Sequence, residues 1–553
     1  MNTRRHLRGG VQPPSHKAVS TRTPIQALPL PAMLVLPLGD NELLHPSGTW
    51  VGKGELIASG RGLPVHASTS GHLRGVEQRT IDADCRGPCV LLEPDGEERW
   101  REPPRPLPLA VLDREQMLAA VQAAGIAGLG GGGFPTAIKL AASGIHTLVI
   151  NAMECEPYVT ADDALLREAA TDVVAGIRLA ARILETPRRI LIGIEDDKPE
   201  ALAALRDALD ADDRDEIEIV VLPARYPAGA ERQLIALLTG VEIPGDDLPI
   251  ARGLVCLNVA TAHALQRALG RGEPLLERIV TVSGAACRTP ANYRVLLGSP
   301  VSHLLAASGY APANGSGVLL GGRMMGRPLH DLQTPVTRTT HCVLALLADE
   351  LQPLPLRACI RCGWCADACP VGLLPQQLHR HALAGQPGEL VRHHLDQCLE
   401  CGACDHVCPS AIPLARQFAA AKAQLAQLRA DRQRADRDRD RFAAHKQRLM
   451  RESAERETRH ATLGKAAPAR DLATLAMARA TGASPVREPL ERAIASATER
   501  LQRLENQLAG LDASATPAQR NALRARIEQA RIDHEQAQRR LASAPAADSE
   551  KNS

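Results

Sequence analysis

The stretch Cys359-Ile-Arg-Cys362-Gly-Trp-Cys365-Ala-Asp-Ala-Cys369-Pro370 returns further along as Cys398-Leu-Glu-Cys401-Gly-Ala-Cys404-Asp-His-Val-Cys408-Pro409. Both runs read C-x2-C-x2-C-x3-C-P. Thiolates two residues apart in a tight loop converge on three corners of one iron–sulfur cube, while the fourth cysteine, past a turn and before proline, points away and completes the other cube. The pattern therefore assigns one [4Fe-4S] cluster to Cys359, Cys362, Cys365 and Cys408, and a second to Cys398, Cys401, Cys404 and Cys369. Disulfide frameworks are not spaced this way. Zinc would use four ligands per ion, as separated C-x2-C pairs, and would leave the fourth cysteines and both prolines unexplained. With eight thiolates completing both cubes, the neighbouring His379, His381, His393, His394 and His406 read as solvated residues.

Outward from these runs the composition narrows the class. At 553 residues the chain is too long for one core, since domains run to roughly 100–200 residues. With 44% hydrophobic and 23% charged residues it is globular, and a net charge of +2 supplies no field for steering nucleic acid. Aromatic residues at 2% leave too few ring faces for a base-stacking platform, so nucleic acid is excluded as a partner. No apolar run approaches the roughly 18–20 residues that span a bilayer, so attachment to a membrane would be peripheral. The first ten residues carry Arg4 and Arg5 without a following apolar stretch, which supports no secretory or twin-arginine signal.

Single-electron carriers need a donor or acceptor site, and the centre of the chain offers one. Helical spacing over 113–124 runs into Gly125-Ile-Ala-Gly-Leu-Gly-Gly-Gly-Gly-Phe-Pro135. Gly128-Leu-Gly130-Gly-Gly-Gly133 matches G-x-G-x-x-G, but a helix rather than a strand precedes it, which is the wrong context for a Rossmann site. Such glycines let backbone amides approach a phosphate or a flat ring closely. Apolar runs at 146–151, 189–194, 217–222 and 254–259 predict buried strands, with helices over 162–184 and 231–238, hence an α/β domain. Short glycine-broken β runs at 34–94 predict a small β unit, and residues 277–328 return to short β runs. From Leu414 to Leu463 there is no Gly or Pro, which predicts a long polar helix; residues 421–460 hold twelve Lys or Arg against seven Asp or Glu. Leu490, Ile494, Leu501, Leu504, Leu508 and Leu511 form an apolar stripe, and Thr516-Pro517-Ala-Gln519 reads as a capping box, together predicting a terminal helical hairpin. The segment 464–489 and the last ten residues read as linker and tail.

Four motifs occur in order: Gly128 to Lys139 (GLGGGGFPTAIK), Asn151-Ala-Met-Glu-Cys-Glu-Pro-Tyr158, Tyr226-Pro-Ala-Gly-Ala-Glu231 and Asn258-Val-Ala-Thr261. The set resembles the NADH-oxidising flavoprotein subunit of respiratory complex I and its hydrogenase relatives. With the double cysteine run, the chain over roughly residues 8–450 resembles the RnfC (RsxC) family of Rnf (Rsx) electron transport complexes. The resemblance implies a multidomain α/β and α+β protein. Its expected parts are a barrel-sandwich-like β unit (1–105), an FMN/NADH-binding α/β domain (106–270), an SLBB-like β-grasp module (271–335), a bacterial 2[4Fe-4S] ferredoxin-type domain (345–420) and a charged helical tail (421–553). It further implies FMN against Gly128, Gly130 and Gly133, with Lys139, Asn151, Glu154, Tyr226, Gly229, Asn258 and Thr261 around it. Phe134 and Glu156 match positions near the nicotinamide nucleotide in the relatives. Leu129, Met153 and Ala230 depart from the pattern, standing where the relatives carry arginine, an acid and an acid. They leave the NADH pocket with fewer polar contacts than the flavin pocket.

The expected function follows from electron count: NADH gives a hydride, each cluster takes one electron, and a flavin converts between them. No acid–base dyad or nucleophile is required, and none is found. The resemblance implies a peripheral subunit on the cytoplasmic side of the inner membrane, coupled to ion translocation by membrane-embedded and other peripheral partners, with a ferredoxin-like carrier as a further partner. Two alternatives stay open at this level: a non-catalytic iron–sulfur relay, favoured by Leu129, Met153 and Ala230, and the flavoprotein subunit of a soluble NAD-dependent hydrogenase or formate dehydrogenase.

Overall fold

The computed structural model describes residues 6–83, 85–245, 247–351, 355–466, 487–509 and 517–543. They fall into two compact units, Met1–Arg429 and Ala430–Ser553.

The first unit opens with the expected small β structure. Leu34–Pro37, Cys85–Pro94, Gly71–Asp82 and Trp50–Val51 form one four-stranded sheet in that order, and Asn41–Leu43, Leu56–Gly60 and Val65–His66 form a three-stranded one. The two enclose Leu34, Leu36, Val51, Ile57, Leu73 and Leu92. Gly71–Asp82 alternates buried and exposed residues at its start, whereas Leu34–Leu36 and Cys89–Leu92 are buried on both faces, the second face closing over Val35, Cys89 and Leu91.

The central sheet is parallel, with strand order Ile217–Leu222, Arg189–Glu195, Thr147–Ala152, Leu254–Asn258. Unbroken Val/Ile/Leu runs suit it because helices cover both faces. All four predicted strands are present within a residue or two of their expected ends. Helix Ala161–Ile183 packs across helix Val259–Leu265 at Gly176, where a Cβ would lie 1.8 Å from the Ala262 carbonyl oxygen. Only glycine allows that approach. The register pairs Asn258 with Asn151, so both asparagines stand at the carboxyl ends of adjacent strands, where open α/β sheets place their ligand crevices.

A six-stranded mixed sheet follows, in the order Gln26–Ala27, Ala291–Leu296, Glu277–Ser283, Cys342–Leu346, Gly317–Leu320, Arg327–Leu329. It reaches past residue 335, the expected end of this module. Cys342–Leu346, buried at every position, is an interior strand between Glu277–Ser283 and Gly317–Leu320. A five-residue apolar run with no alternation carries too little periodicity to be separated from the following linker. The cysteine-rich region then forms short helices around Leu378, Leu390, Leu395, Ile412 and Phe418.

Helix Leu414–Ala466 begins in this region and carries the charged stretch. In the second unit, helices Arg487–Ala509 and Pro517–Ala542 pack through Leu504, Ile527 and Ala530, giving the expected hairpin. Leu511, Thr516 and most of the expected linker lie outside the described residues. No helix among the described residues is long and apolar enough to cross a membrane.

Candidate functional site

The carboxyl ends of the central strands open into a cavity of about 720 Å³, within the roughly 300–1,000 Å³ of small-molecule sites. Gly130, Gly131 and Gly132 form one wall. The loop is closed by its own backbone: Gly128 N–H donates to Phe134 O (2.8 Å) and Gly133 N–H to Gly128 O (3.1 Å). Gly131 and Gly133 have φ of 101° and 63°, values that side-chain-bearing residues rarely adopt. A Cβ at Gly131 or Gly132 would meet nothing within 4 Å, so these backbones face open space that a ring or phosphate can occupy.

Asn151, Glu154, Glu156, Tyr226, Gly229 and Asn258 also line the cavity. Asn151 Nδ2 donates to Gly229 O (2.9 Å) and its Oδ1 accepts from Met153 N–H (3.0 Å), while Asn258 Nδ2 donates to Asp162 Oδ2 (2.6 Å) and its Oδ1 accepts from Ala260 N–H (2.9 Å). Both amides thereby tie the cavity loops to one another. Glu154 accepts from the backbone of Asp162 (2.9 Å) and Asp163 (3.2 Å), at the amino end of helix Ala161–Ile183. Behind it, buried Lys198 pairs with Glu195, and Lys17 donates to the Glu154 carbonyl. Glu156 accepts from Met325 N–H (2.9 Å) and Met324 N–H (3.1 Å), which fastens the central α/β domain to the six-stranded mixed-sheet module.

The other candidates stand elsewhere. Gly128, Gly133, Phe134, Lys139 and Thr261 are not part of this cavity's lining. Thr261 Oγ1 is buried and accepts from Leu129 N–H (2.9 Å), so it holds the glycine loop from behind. Lys139 pairs with Glu231 at 2.8 Å, and Phe134 is 52% exposed outside the pocket. Several lining residues are not among the sequence-predicted candidates: Asp162, Thr337, Thr339, Thr340 and His341. The polar run Thr337-Arg-Thr-Thr340 between two β runs is a signal for the threonines, and no local pattern marks Asp162 or His341. Arg278 adds a guanidinium that donates to Leu129 O (3.2 Å), bringing positive charge to the loop that lacks arginine at 129.

Burial sets the protonation of the two glutamates. It pushes Glu154 up to about 8, reinforced by Asp162 and opposed by Lys17 and Lys198. It pushes Glu156 up to about 7 against the pull of the Met325 and Met324 amides. A carboxyl raised from 4.5 holds its proton more tightly when folded. The stability it confers is complete below about pH 4.5 and lost as pH rises through about 7 for Glu156 and about 8 for Glu154. The anaerobic thermal midpoint is therefore expected to fall between about pH 4.5 and 8. In Glu156→Gln the lower part of that fall should disappear, a difference worth roughly 1–3 kcal/mol. A profile identical to that of the unmodified protein would refute the assignment.

The cysteines gather into two cavities. One is lined by Cys359, Cys362, Cys365 and Cys408, with Ile412 and Leu414; the other by Cys369, Cys398, Cys401 and Cys404, with Leu373 and Phe418. Each set takes three cysteines from one run and the last from the other. The sequence repeat is also a backbone repeat: Arg361 and Gly363 in the first run, and Glu400 and Gly402 in the second, all have positive φ. No disulfide joins any of the fourteen cysteines. Burial pushes the Cys398 and Cys401 thiols up to about 11, so thiolates there require the compensating charge of a metal, which fits an iron–sulfur ligand set. Leu399 and Cys401 line both the second cysteine cavity and the large cavity, and the Tyr226 hydroxyl donates to Cys401 O at 2.5 Å. Two histidines expected in solvent are not there: His381 is 7% exposed, and half-buried His379 hydrogen-bonds Gln417 at 2.6 Å. Helix Pro375–Leu383 packs onto the cluster region and carries them inward with Leu378.

Family models match four segments: the Nuo51 FMN-binding domain at 121–267, the RnfC barrel sandwich hybrid domain at 5–97, the SLBB domain at 279–328 and the 4Fe-4S dicluster domain at 355–412. The C-subunit of the ion-translocating oxidoreductase complex of Pectobacterium carotovorum is 44% identical over 465 residues, covering 82% of this chain and 62% of that protein. The chain thus spans less than two thirds of that relative's length. The corresponding C-subunit from Yersinia pestis bv. Antiqua is 43% identical over 464 residues, covering 82% of this chain and 74% of its own length. An NAD+-reducing [NiFe]-hydrogenase structure superposes on 55% of this chain and 60% of its own, with a TM-score of 0.41 and 20% identity. With an FMN-binding domain, an SLBB domain and a dicluster domain set behind the barrel sandwich hybrid, the chain belongs to the RnfC family, the C-subunits of ion-translocating oxidoreductase complexes.

Proposed function

We propose that this chain is the electron-input subunit of a membrane-bound ion-translocating oxidoreductase complex, passing electrons between NADH, an FMN in the large cavity and two [4Fe-4S] clusters. The observation that carries this reading is the shared wall: Leu399 and Cys401 belong both to the large cavity and to the cavity of the second cysteine set. When bound, FMN takes two electrons together and releases them singly, and the clusters carry them one at a time.

The protein's own part is binding and alignment. The bare backbone of Gly130 to Gly132 admits a flat ring or phosphate, and Asn151, Glu154, Tyr226, Gly229 and Asn258 frame it. Gly128, Gly133, Lys139 and Thr261 brace the loop and its neighbours from outside. Phe134 and Glu156 are assigned to the nicotinamide nucleotide. Tyr226 pins the Cys401 loop to the cavity, and Leu399 forms part of the shared wall. The set Cys398, Cys401, Cys404 and Cys369 is then the nearer cluster. Cys359, Cys362, Cys365 and Cys408 hold the farther one, whose Cys359 and Cys362 are exposed and mark where electrons leave or enter. Membrane-embedded and other peripheral subunits receive them there, a ferredoxin-like carrier serves the complex, and the chain sits on the cytoplasmic face of the inner membrane, where its partners couple electron flow to ion movement.

Anaerobic purification followed by NADH titration tests this. Bleaching of a bound flavin, with EPR signals of two reduced clusters, is expected; intact clusters without flavin would leave only the relay. In Tyr226→Phe, NADH should bleach flavin as before while the nearer cluster is reduced more slowly, because the lost hydrogen bond loosens the contact by about 1 kcal/mol. Unchanged cluster reduction in stopped-flow traces would remove Tyr226 from the path.

A further inference from the structure

Between the two cysteine runs the chain makes a helical hairpin, Pro375–Leu383 and Pro387–Arg392, turning at Gly385, whose φ is 60°. His381 lies on the first helix, Glu389 on the second, and His393 caps the second helix, donating its backbone N–H to Glu389 O at 2.9 Å. One nitrogen from each imidazole and one carboxylate oxygen lie within 4.8 Å of one another. The rings of His381 and His393 stack at 5.0 Å between centroids. We propose that His381, Glu389 and His393 bind one zinc ion, a site separate from the eight cluster cysteines and joining the two helices of this hairpin.

Three observations support it. Two imidazoles and a carboxylate on facing helical segments form a donor set that zinc accepts, with N and O ligands at about 2.0–2.2 Å and a solvent molecule filling the fourth position. Ligand atoms at that distance from a tetrahedral ion stand roughly 3.3–3.6 Å apart, so closing from 4.8 Å or less requires a shift of only one or two side-chain torsions, and Glu389 and His393 are half-buried. Second, His381 is already oriented as a ligand. Its Nδ1 pairs with Gln386 Oε1 at 2.7 Å, an acceptor that fixes the proton on Nδ1 and makes Nε2 the acceptor nitrogen, the form in which an imidazole binds a metal. The turn enforces this, because Gln386 N–H also donates to His381 O at 3.0 Å. Third, the group facing Nε2 is itself a cation: the exposed Arg380 guanidinium lies 3.3 Å away, and Arg392 pairs with Glu389 at 3.3 Å. Both arginines are exposed and can swing into solvent when a divalent ion takes their place. The hairpin connects Cys369 to Cys398, so the ion would stiffen the segment that joins the two cluster loops.

The test uses the full chain, purified anaerobically with its iron intact, equilibrated with zinc sulfate, desalted and assayed for metals. About one zinc per chain is expected, with zinc-edge X-ray absorption showing only N/O neighbours at about 2.0–2.1 Å and no sulfur near 2.3 Å. His393→Ala and Glu389→Gln should lose that zinc at unchanged iron content, which also reports that the clusters remain folded. Gln386→Ala, acting through His381, should weaken zinc binding by roughly 10–100-fold and leave the N/O signature in place at saturation. Zinc bound only through sulfur would show displaced iron rather than this site. That result, no zinc uptake, or uptake undiminished in both His393→Ala and Glu389→Gln would each overturn the proposal.

Discussion

Replacing Cys408 with alanine is expected to remove the cluster of the other cysteine run. Cys408 follows Cys398, Cys401 and Cys404 in sequence, yet its side chain lines the cavity of Cys359, Cys362 and Cys365. Iron content should fall by about half, and the cluster EPR signal that survives should be the one nearer the flavin, so NADH still bleaches flavin and reduces a single cluster. Because ligation is also folding energy for so small a region, the loops around Cys359 to Cys365 should lose order, read as new protease cuts there. Cys369→Ala is the mirror case and should spare the farther cluster. If Cys408→Ala instead removed the cluster of Cys398, Cys401 and Cys404, the exchange of fourth ligands would be wrong.

The second large effect is expected at Gly130. A Cβ there would sit 3.1 Å from Asn258 Cβ, and a valine's methyls would extend beyond it into the cavity. Overpacking of this kind costs about 1–3 kcal/mol, which corresponds to roughly 10–100-fold weaker flavin retention. Gly130→Val should therefore leave the column with little flavin but full iron, and fluorescence of acid-released flavin against iron content reads both. Alanine at Gly132, where a Cβ meets nothing within 4 Å, is the control and should retain flavin. Loss of iron together with flavin in Gly130→Val would mean a general folding failure and no specific wall.

The residues show which parts of this molecule a sequence can announce. The grouping of the cysteines into two cavities was legible because three of each four lie within seven residues and the fourth is marked by proline, so local spacing dictates geometry. The central strands were legible because a parallel sheet covered on both faces demands uninterrupted Val, Ile and Leu. Asp162, Thr340 and His341 were not, since they reach the cavity from a helix start and a β-grasp loop that no short-range pattern connects to the glycines. Lys139 and Thr261 sit close in sequence to true wall residues but face Glu231 and Leu129 instead, a distinction of side-chain direction that motif resemblance does not contain. His381 escaped because its burial comes from helix packing around Leu378 rather than from its own neighbours.

The segment from Gly9 to Val11 is built in between Tyr226 of the large cavity and Ala368–Cys369 of the first cysteine run. Gly10 N–H donates to Ala368 O, Val11 exchanges backbone hydrogen bonds with Tyr226, and a Cβ at Gly9 would lie 2.5 Å from the Cys369 carbonyl. During synthesis these residues emerge long before the loops they clasp: the Tyr226 side of their seat follows after more than two hundred further residues, and the Ala368 and Cys369 side only after more than three hundred. The strap is therefore fastened late, only after the loops on both of its sides have been made.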